Sequence, residues 1–191
     1  MENISAEPAA APRTRVSPSA RIGRAHEAAA LADLVNQAFS IETTFVDGHR
    51  TSPEEIARMM TTGAFLVIDW CFASPFGDAA RSGEAVPCRD GAHIGAAVYV
   101  EDRGDGAYFG MLSVRPELQG MGLGKRLVCV AEALGSARGA SHMAIRIVNV
   151  REELSRWYKS LGYREVGVSP YEHRPVKRPV HFVEMKKRLP A

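Results

Sequence analysis

The sequence predicts an α/β domain built on a mixed sheet, and three observations lead there. Apolar residues alternate in some segments and recur at helical spacing in others, giving the order β-α-α-β-β-β-α-β-α-β-β. The stretch VRPELQGMGLGKRL, residues 114–127, places Gly120, Gly122 and Gly124 at alternate positions between a strand and a helix. The chain has 191 residues, 46% of them apolar, which suits one domain with a sizeable core.

The elements follow in order. Residues 1–20 are rich in Ala, Pro and Ser and read as a disordered tail, leaving 21–191 as the domain. RIGRA, from Arg21, reads as a short first strand. Leu31, Leu34, Val35 and Ala38 then mark a helix over 27–39. Ser52-Pro53-Glu54-Glu55 starts a second helix: Ser52 caps, Pro53 suits the first helical position, and Glu55 completes a capping box. The apolar run 64–71 is a buried strand. Residues 73–91 hold Pro75, Gly77, Gly83, Pro87 and Gly91 and read as a long surface loop. Residues 92–100 form a strand with Ile94, Ala96, Val98 and Val100 on one face, and Asp105-Gly106 favours a hairpin into the strand 108–114. A helix over 123–138 carries Leu127, Val128, Ala131 and Leu134 inward, with Cys129 packed among them. A strand over 143–148 and a helix over 152–161 follow, the helix stopped by Gly162. Two strands, 164–169 and 181–187, close the chain.

Charge and cysteine content restrict the function classes. The formal net charge of +2, from 24 basic and 22 acidic residues, gives no electrostatic reason to expect a nucleic-acid or membrane partner. No apolar run approaches the roughly 18 residues needed to span a bilayer. Cys71, Cys88 and Cys129 lack metal-ligand spacing and cannot all pair, so they read as free thiols in a reducing compartment. The N-terminus lacks the apolar core of a secretory signal, and cytoplasm is the expected location. His93, His142 and His181 are scattered, so no metal site is expected.

The glycine stretch carries the functional signal. A loop entering a helix exposes amides without intrahelical partners, at the positive end of the helix dipole, and such a terminus binds phosphate. Lys125 and Arg126 add charge there. The dinucleotide fingerprint fails, because its last glycine would fall on Lys125 or Leu127. The Walker loop fails at Gln119 and Arg126. A tight turn with close helix packing is the structural alternative.

Gln119-Gly120-Met121-Gly122-Leu123-Gly124 resembles the Q/R-x-x-G-x-G/A signature of the GNAT-type N-acetyltransferase superfamily. MLSVRPELQ resembles that family's fourth strand and its exit, and IRIVNVREELSRWYKSLGYREVG resembles its second motif. The resemblance implies an acyl-CoA N-acyltransferase fold: a mixed, mostly antiparallel sheet flanked by helices and splayed between the fourth and fifth strands. It implies acetyl-CoA as cosubstrate. The amides of Gln119, Gly120, Met121, Gly122, Leu123 and Gly124, with Lys125, would hold the pyrophosphate. Leu112, Ser113 and Val114 would pair with the pantetheine arm, and Asn149 would contact it.

Acetyl transfer needs a neutral amine, donors for the oxyanion and a proton for the leaving thiolate. Tyr158 matches the family's general acid, although its helical spacing from Leu154 and Leu161 also suits a core aromatic. An amide near Leu112 would stabilise the oxyanion. Asn149 with Glu152 also reads as a helix cap. Glu101 is the expected base, with Glu42 as the other candidate. For either one, a solvated surface carboxylate is the commoner role of such a residue. Glu42 and Asp47, in the loop 40–50, would suit a cationic amine on a small molecule or peptide. The segment YEHRPVKRPVH, residues 171–181, would cover the site or form a solvated loop. A homodimer stays open. The rival readings are a non-catalytic acyl-CoA sensor or interaction module on the same fold, and a nucleotide-binding protein.

Overall fold

The computed structural model describes residues 14–16, 19–72 and 93–190. The surface loop expected over 73–91 lies outside the described residues, as does most of the expected tail. Thr14–Val16, however, forms a short edge strand, β1. It pairs antiparallel with Trp70–Phe72, so part of the segment read as tail extends the sheet. Backbone pairing to an open edge needs no apolar periodicity, which is why the pattern missed it.

The remaining elements are β2 (Arg21–Ile22), α1 (Ala28–Ala38), α2 (Pro53–Thr62), β3 (Ala64–Phe72), β4 (His93–Arg103), β5 (Gly106–Val114), α3 (Leu123–Ala137), β6 (His142–Val148), α4 (Glu152–Ser160), β7 (Arg164–Pro170) and β8 (His181–Arg188). The sheet runs β1-β3-β4-β5-β6-β8-β7, with β2 beside β3. Every pairing is antiparallel except β5 with β6. The β4–β5 hairpin turns on Gly104-Asp105, one residue earlier than the sequence suggested, with Gly104 at φ +65°.

Period-2 alternation sorts the strand side chains onto two cores. Phe65, Val67, Ala97 and Tyr99 pack with Leu31, Leu34 and Ile56 of α1 and α2. Leu66, Ile68, Val98 and Val100 pack with Leu127, Val128, Ala131 and Tyr158 of α3 and α4. Leu127 is fully buried, and truncating such a leucine to alanine costs about 2–5 kcal/mol. Ile94 departs from the expected face. Ile68 pairs with Ala96 but Asp69 pairs with Ile94, so Gly95 is an extra residue on β4. This bulge moves Ile94 to the α1 side. Cys129 also departs from expectation: it is exposed on the outer face of α3.

The helix starts divide. The Ser52 hydroxyl accepts the Glu55 amide at 3.2 Å, as expected. The Glu55 carboxylate does not complete the box; it accepts the Thr51 hydroxyl at 3.1 Å and Arg174 at 3.2 Å. The Asn149 cap does not form. A turn closed by the Arg151 amide on the Val148 carbonyl delays α4, and Arg151 stands at its cap position. The Asn149 Oδ1 accepts the His181 amide at 3.0 Å instead.

Arg21 fastens β2 and the start of α1 to the sheet. Its guanidinium donates to both oxygens of Asp69, at 2.7 and 2.8 Å, and to both of Glu27, at 2.9 and 2.6 Å. Glu27 also accepts the Arg24 amide. The hydrogen bonds from Arg21 hold the Glu27 carboxyl down at about 2. A carboxylate with a lowered folded-state pKa stabilises the fold above its unfolded pKa, and that stability is lost as pH falls through the folded value. Glu27→Gln is therefore expected to lower the denaturation midpoint at pH 7. The gap from wild type should close as pH falls from about 4.5 toward 2, read from urea unfolding at several pH values. A gap independent of pH would remove this ion pair from the account.

Candidate active site

The site begins with one extra residue in β5. Ala97 pairs with Ser113, but Tyr99 pairs with Gly110, so β5 spends one more residue than β4 across this stretch. Met111 sits in the bulge at φ +50°, a left-handed conformation costly for a side chain with a Cβ. The Ser113 hydroxyl, buried beneath, donates to the Met111 carbonyl at 3.0 Å. A bulge bends its strand and strengthens the local twist. Here β5 meets β6 only through Ala107↔Met143 and Tyr108↔Ala144, and the two strands then separate. The expected splay is therefore present, between β5 and β6.

A cleft of about 570 Å³ occupies the gap. Its walls are Tyr108 to Leu112 and Val114 of β5 and Ile145 to Val148 of β6. The glycine loop, Leu154, Trp157 and Tyr158 lie toward α4. Ala38, Phe39, Glu42, Arg50, Arg151, His173 and Phe182 line it elsewhere. A Cβ at Gly110 would come within 2.7 Å of the Tyr108 hydroxyl, so that ring would have to shift.

The glycine loop opens on this cleft. Gly120 and Gly122 have φ +80° and +79°, which L side chains avoid, and nothing lies within 4 Å of where a Cβ would stand. Gly122 is the cap position of α3 and supplies no side-chain bond to the helix amides. The first helical amides therefore lack intrahelical partners. Gly124 differs. Its φ is ordinary and a Cβ would make normal contacts with Trp157 and Leu112 at 3.8 and 3.9 Å. The tight-turn reading thus holds for the backbone of two glycines, while close helix packing does not require the space above them.

Tyr158 is at once a core aromatic and a residue of the cleft wall. Its ring packs on Trp157, Tyr163 and Phe109 at 4.7, 5.7 and 6.0 Å between centroids, yet it lines the cleft. Burial pushes the phenol above its usual pKa, so it holds its proton at neutral pH.

The α1–α2 segment and the β7–β8 segment close the far end together. The Asp47 amide donates to the Pro175 carbonyl at 3.1 Å and the Lys177 amide to Phe45 at 3.0 Å. The segment 171–181 is thereby tied down, and its His173 faces the cleft. Glu42 is buried between Arg50 and Arg151, at 3.9 and 3.8 Å. Burial raises its pKa and the two guanidiniums oppose the rise.

The structure gathers Leu112, Val114, Gln119, Gly120, Gly122, Leu123, Gly124, Lys125, Tyr158 and Glu42 around one cleft. It does not bring Glu101 there. That carboxylate accepts the Tyr99 hydroxyl at 2.7 Å and Arg103 at 2.5 Å, near the β4–β5 turn. Asp47 is outside it too, paired with Lys177 at 3.4 Å. Ser113 points to the opposite face and Met121 outward to solvent. Asn149 spends its side-chain oxygen on β8, as above. Sequence reasoning missed Arg50, Arg146, Arg151, His173 and Tyr108. An arginine set among the isoleucines of IRIV was the one available signal. Among the described residues no group of His, Cys, Asp and Glu could hold a metal ion, and no helix is long and apolar enough to cross a membrane.

Comparison with known proteins bears on this geometry. A sequence model described as an acetyltransferase (GNAT) domain matches residues 84–165. A search of curated proteins finds no match. Among solved structures, the ribosomal-protein-S18-alanine N-acetyltransferase from Escherichia coli superposes with a TM-score of 0.64 at 13% identity, over 94% of this chain and 96% of that one. An IAA acetyltransferase from Bacillus cereus gives 0.58 at 16%, over 92% and 100%. The yncA protein of Salmonella typhimurium, solved with its cofactor acetyl-CoA, gives 0.63 at 16%, over 90% and 94%. The segment 84–165 is similar to a GNAT acetyltransferase domain, and the splayed, mostly antiparallel sheet is the fold of these solved acetyltransferases.

Proposed function

We propose that the protein transfers acetyl from acetyl-CoA directly to a primary amine of a small molecule or peptide, in the cytoplasm. The single observation that carries this reading is the shared cleft. One continuous space joins an uncapped, glycine-opened helix start to the splayed edge of β5 and to a buried phenol.

In this reading the amides of Gly120 to Gly124, with Lys125, hold the pyrophosphate. The pantetheine arm lies along Leu112 to Val114, completing the backbone bonds that β5 does not make to β6, and Asn149 reaches it from the β6 exit. The amine loses a proton before it attacks, since a lysine-like amine has a pKa of about 10.4. Glu42 is the one carboxylate on the cleft wall among the described residues. It takes the proton in place of Glu101. The nitrogen then attacks the thioester carbon, and an amide of the bulged β5 near Leu112 stabilises the oxyanion. The C–S bond breaks as Tyr158 gives its proton to the sulfur, and the nitrogen, cationic after its attack, loses its second proton to solvent, which returns one to the phenolate. Amide, CoA thiol and one released proton balance the reaction.

The sensor reading shares the cofactor site and differs in turnover, so two measurements separate the cases. Acetyl-CoA and CoA should raise the thermal midpoint by mass action, whereas ATP and NAD should not. Absence of a shift at saturating acetyl-CoA would count against both acyl-CoA readings. Tyr158→Phe should lower kcat by roughly 10–100-fold, within the range of general acid catalysis, with acetyl-CoA affinity nearly unchanged. Unaltered turnover would take Tyr158 out of the acid role. Gly122→Val should raise the acetyl-CoA Kd by roughly tenfold or more, and also cost about 1–2 kcal/mol of stability from the left-handed backbone. Wild-type affinity in a folded Gly122→Val protein would sink the phosphate cradle.

A further inference from the structure

The far end of the cleft has the wrong sign for the cationic acceptor that Glu42 and Asp47 suggested. Asp47 is outside it, and Glu42, the one carboxylate on the cleft wall among the described residues, lies between Arg50 and Arg151, with Arg146 on the same wall and Arg151 paired also with Glu153. Arg146 makes no ion pair among the described residues, although Glu184 stands opposite it on β8. Its guanidinium lies near the rings of Tyr108 and Phe182, at 5.8 and 5.1 Å. Arg146 is half-buried, and even partial burial of a charge without a counter-charge is costly.

Unused donors collect at the same place. The Nε atoms of Arg50 and Arg146 and the hydroxyl of Tyr171 are buried with no hydrogen-bond partner. The Tyr171 ring packs against His173 at 5.8 Å and Phe182 at 4.9 Å, and His173 lines the cleft. Burial, with Arg50 and Arg146 alongside, pushes the His173 imidazole below its usual pKa, so that ring adds no charge at neutral pH. Buried donors left unpaired ask for an acceptor, and none of the surrounding side chains supplies it.

We propose that the acceptor carries a carboxylate a few bonds from its amine, as a free amino acid does. The carboxylate sits on Arg146 and Arg50, and the amine faces Glu42. This deepens the acetyl-transfer reading and rests on it. A guanidinium fork matches a carboxylate in two parallel hydrogen bonds, and the pairing supplies the counter-charge that Arg146 lacks. The arrangement complements a zwitterion: one buried carboxylate for the nitrogen and unpaired donors for the anion. It disfavours a polyamine, which would place further positive charge against three arginines.

The test is equilibrium binding, which needs no turnover. CoA is titrated into the protein by calorimetry, and the CoA complex is then titrated with N-acetyl derivatives of the twenty amino acids and with the matching N-acetyl carboxamides. The expected result is at least one carboxylate that binds tenfold or more tightly than its carboxamide, with the difference shrinking at high salt. Arg146→Gln should remove most of that difference and Arg146→Lys should restore part of it. Equal binding of acid and amide, or no binder among the acids, on a protein that does bind CoA would overturn this inference alone. Failure to bind CoA would overturn the acetyl-transfer reading beneath it, and this inference with it.

Discussion

The separation of β5 from β6 depends on a single unmatched residue in β5. With Met111 accommodated in the left-handed region, the strand bends, and its parallel pairing with β6 ends after Tyr108. A sheet that stayed paired to Val114 would leave no cleft and no free backbone edge. The strain of a non-glycine residue at positive φ, of order 1–3 kcal/mol, is small beside the burial that surrounds it. Phe109 on one side and Ser113 on the other are both fully buried, which fixes the bulge in place. The opened edge and the strained backbone are therefore one feature.

Around that opening, each wall has a separate structural origin. The glycine loop borrows the dipole and free amides of α3. The phenol of Tyr158 comes from α4, held by an aromatic cluster that also belongs to the core. The far end is closed by two connecting segments that pair with each other through backbone bonds and the Val46↔Val176 bridge. The glycine loop and the phenol thus belong to helices, whereas the far end mixes Glu42 and Arg50 of a connecting segment with Arg146 of β6. Members of a fold can vary such a segment without disturbing the helices.

Electrostatics divides along the same line. At the helix end, Lys125 and open amides favour a phosphate. At the acceptor end, Glu42 is outnumbered by guanidiniums, and its burial works against its own charge. An isolated reading of Glu42 and Asp47 gives the opposite sign, because the arginines that line the cleft come from two parts of the chain about a hundred residues apart. Arg50 lies in the α1–α2 segment, Arg146 on β6 and Arg151 at the start of α4.

How much was legible follows from the range over which each signal acts. Helix and strand order came from local periodicity, and the Ser52 cap and the glycine-led helix start came from chemistry within a few residues. Those signals are short-range, so the sequence alone determined the elements after β1, the glycine-led helix start and the resemblance that pointed to the fold. The bulges at Gly95 and Met111 were not legible, because they express a register between two strands. The failed Asn149 cap and the half-formed Ser52 box have the same cause: long-range partners, His181 and Arg174, took the groups that local rules had assigned. Tertiary structure alone decided which carboxylate reached the cleft, which arginines surrounded it, and that Glu101 spent itself near the β4–β5 turn. Side chains remote in sequence meet only once packing fixes their distances, and at those distances charge and hydrogen bonding set the character of the site.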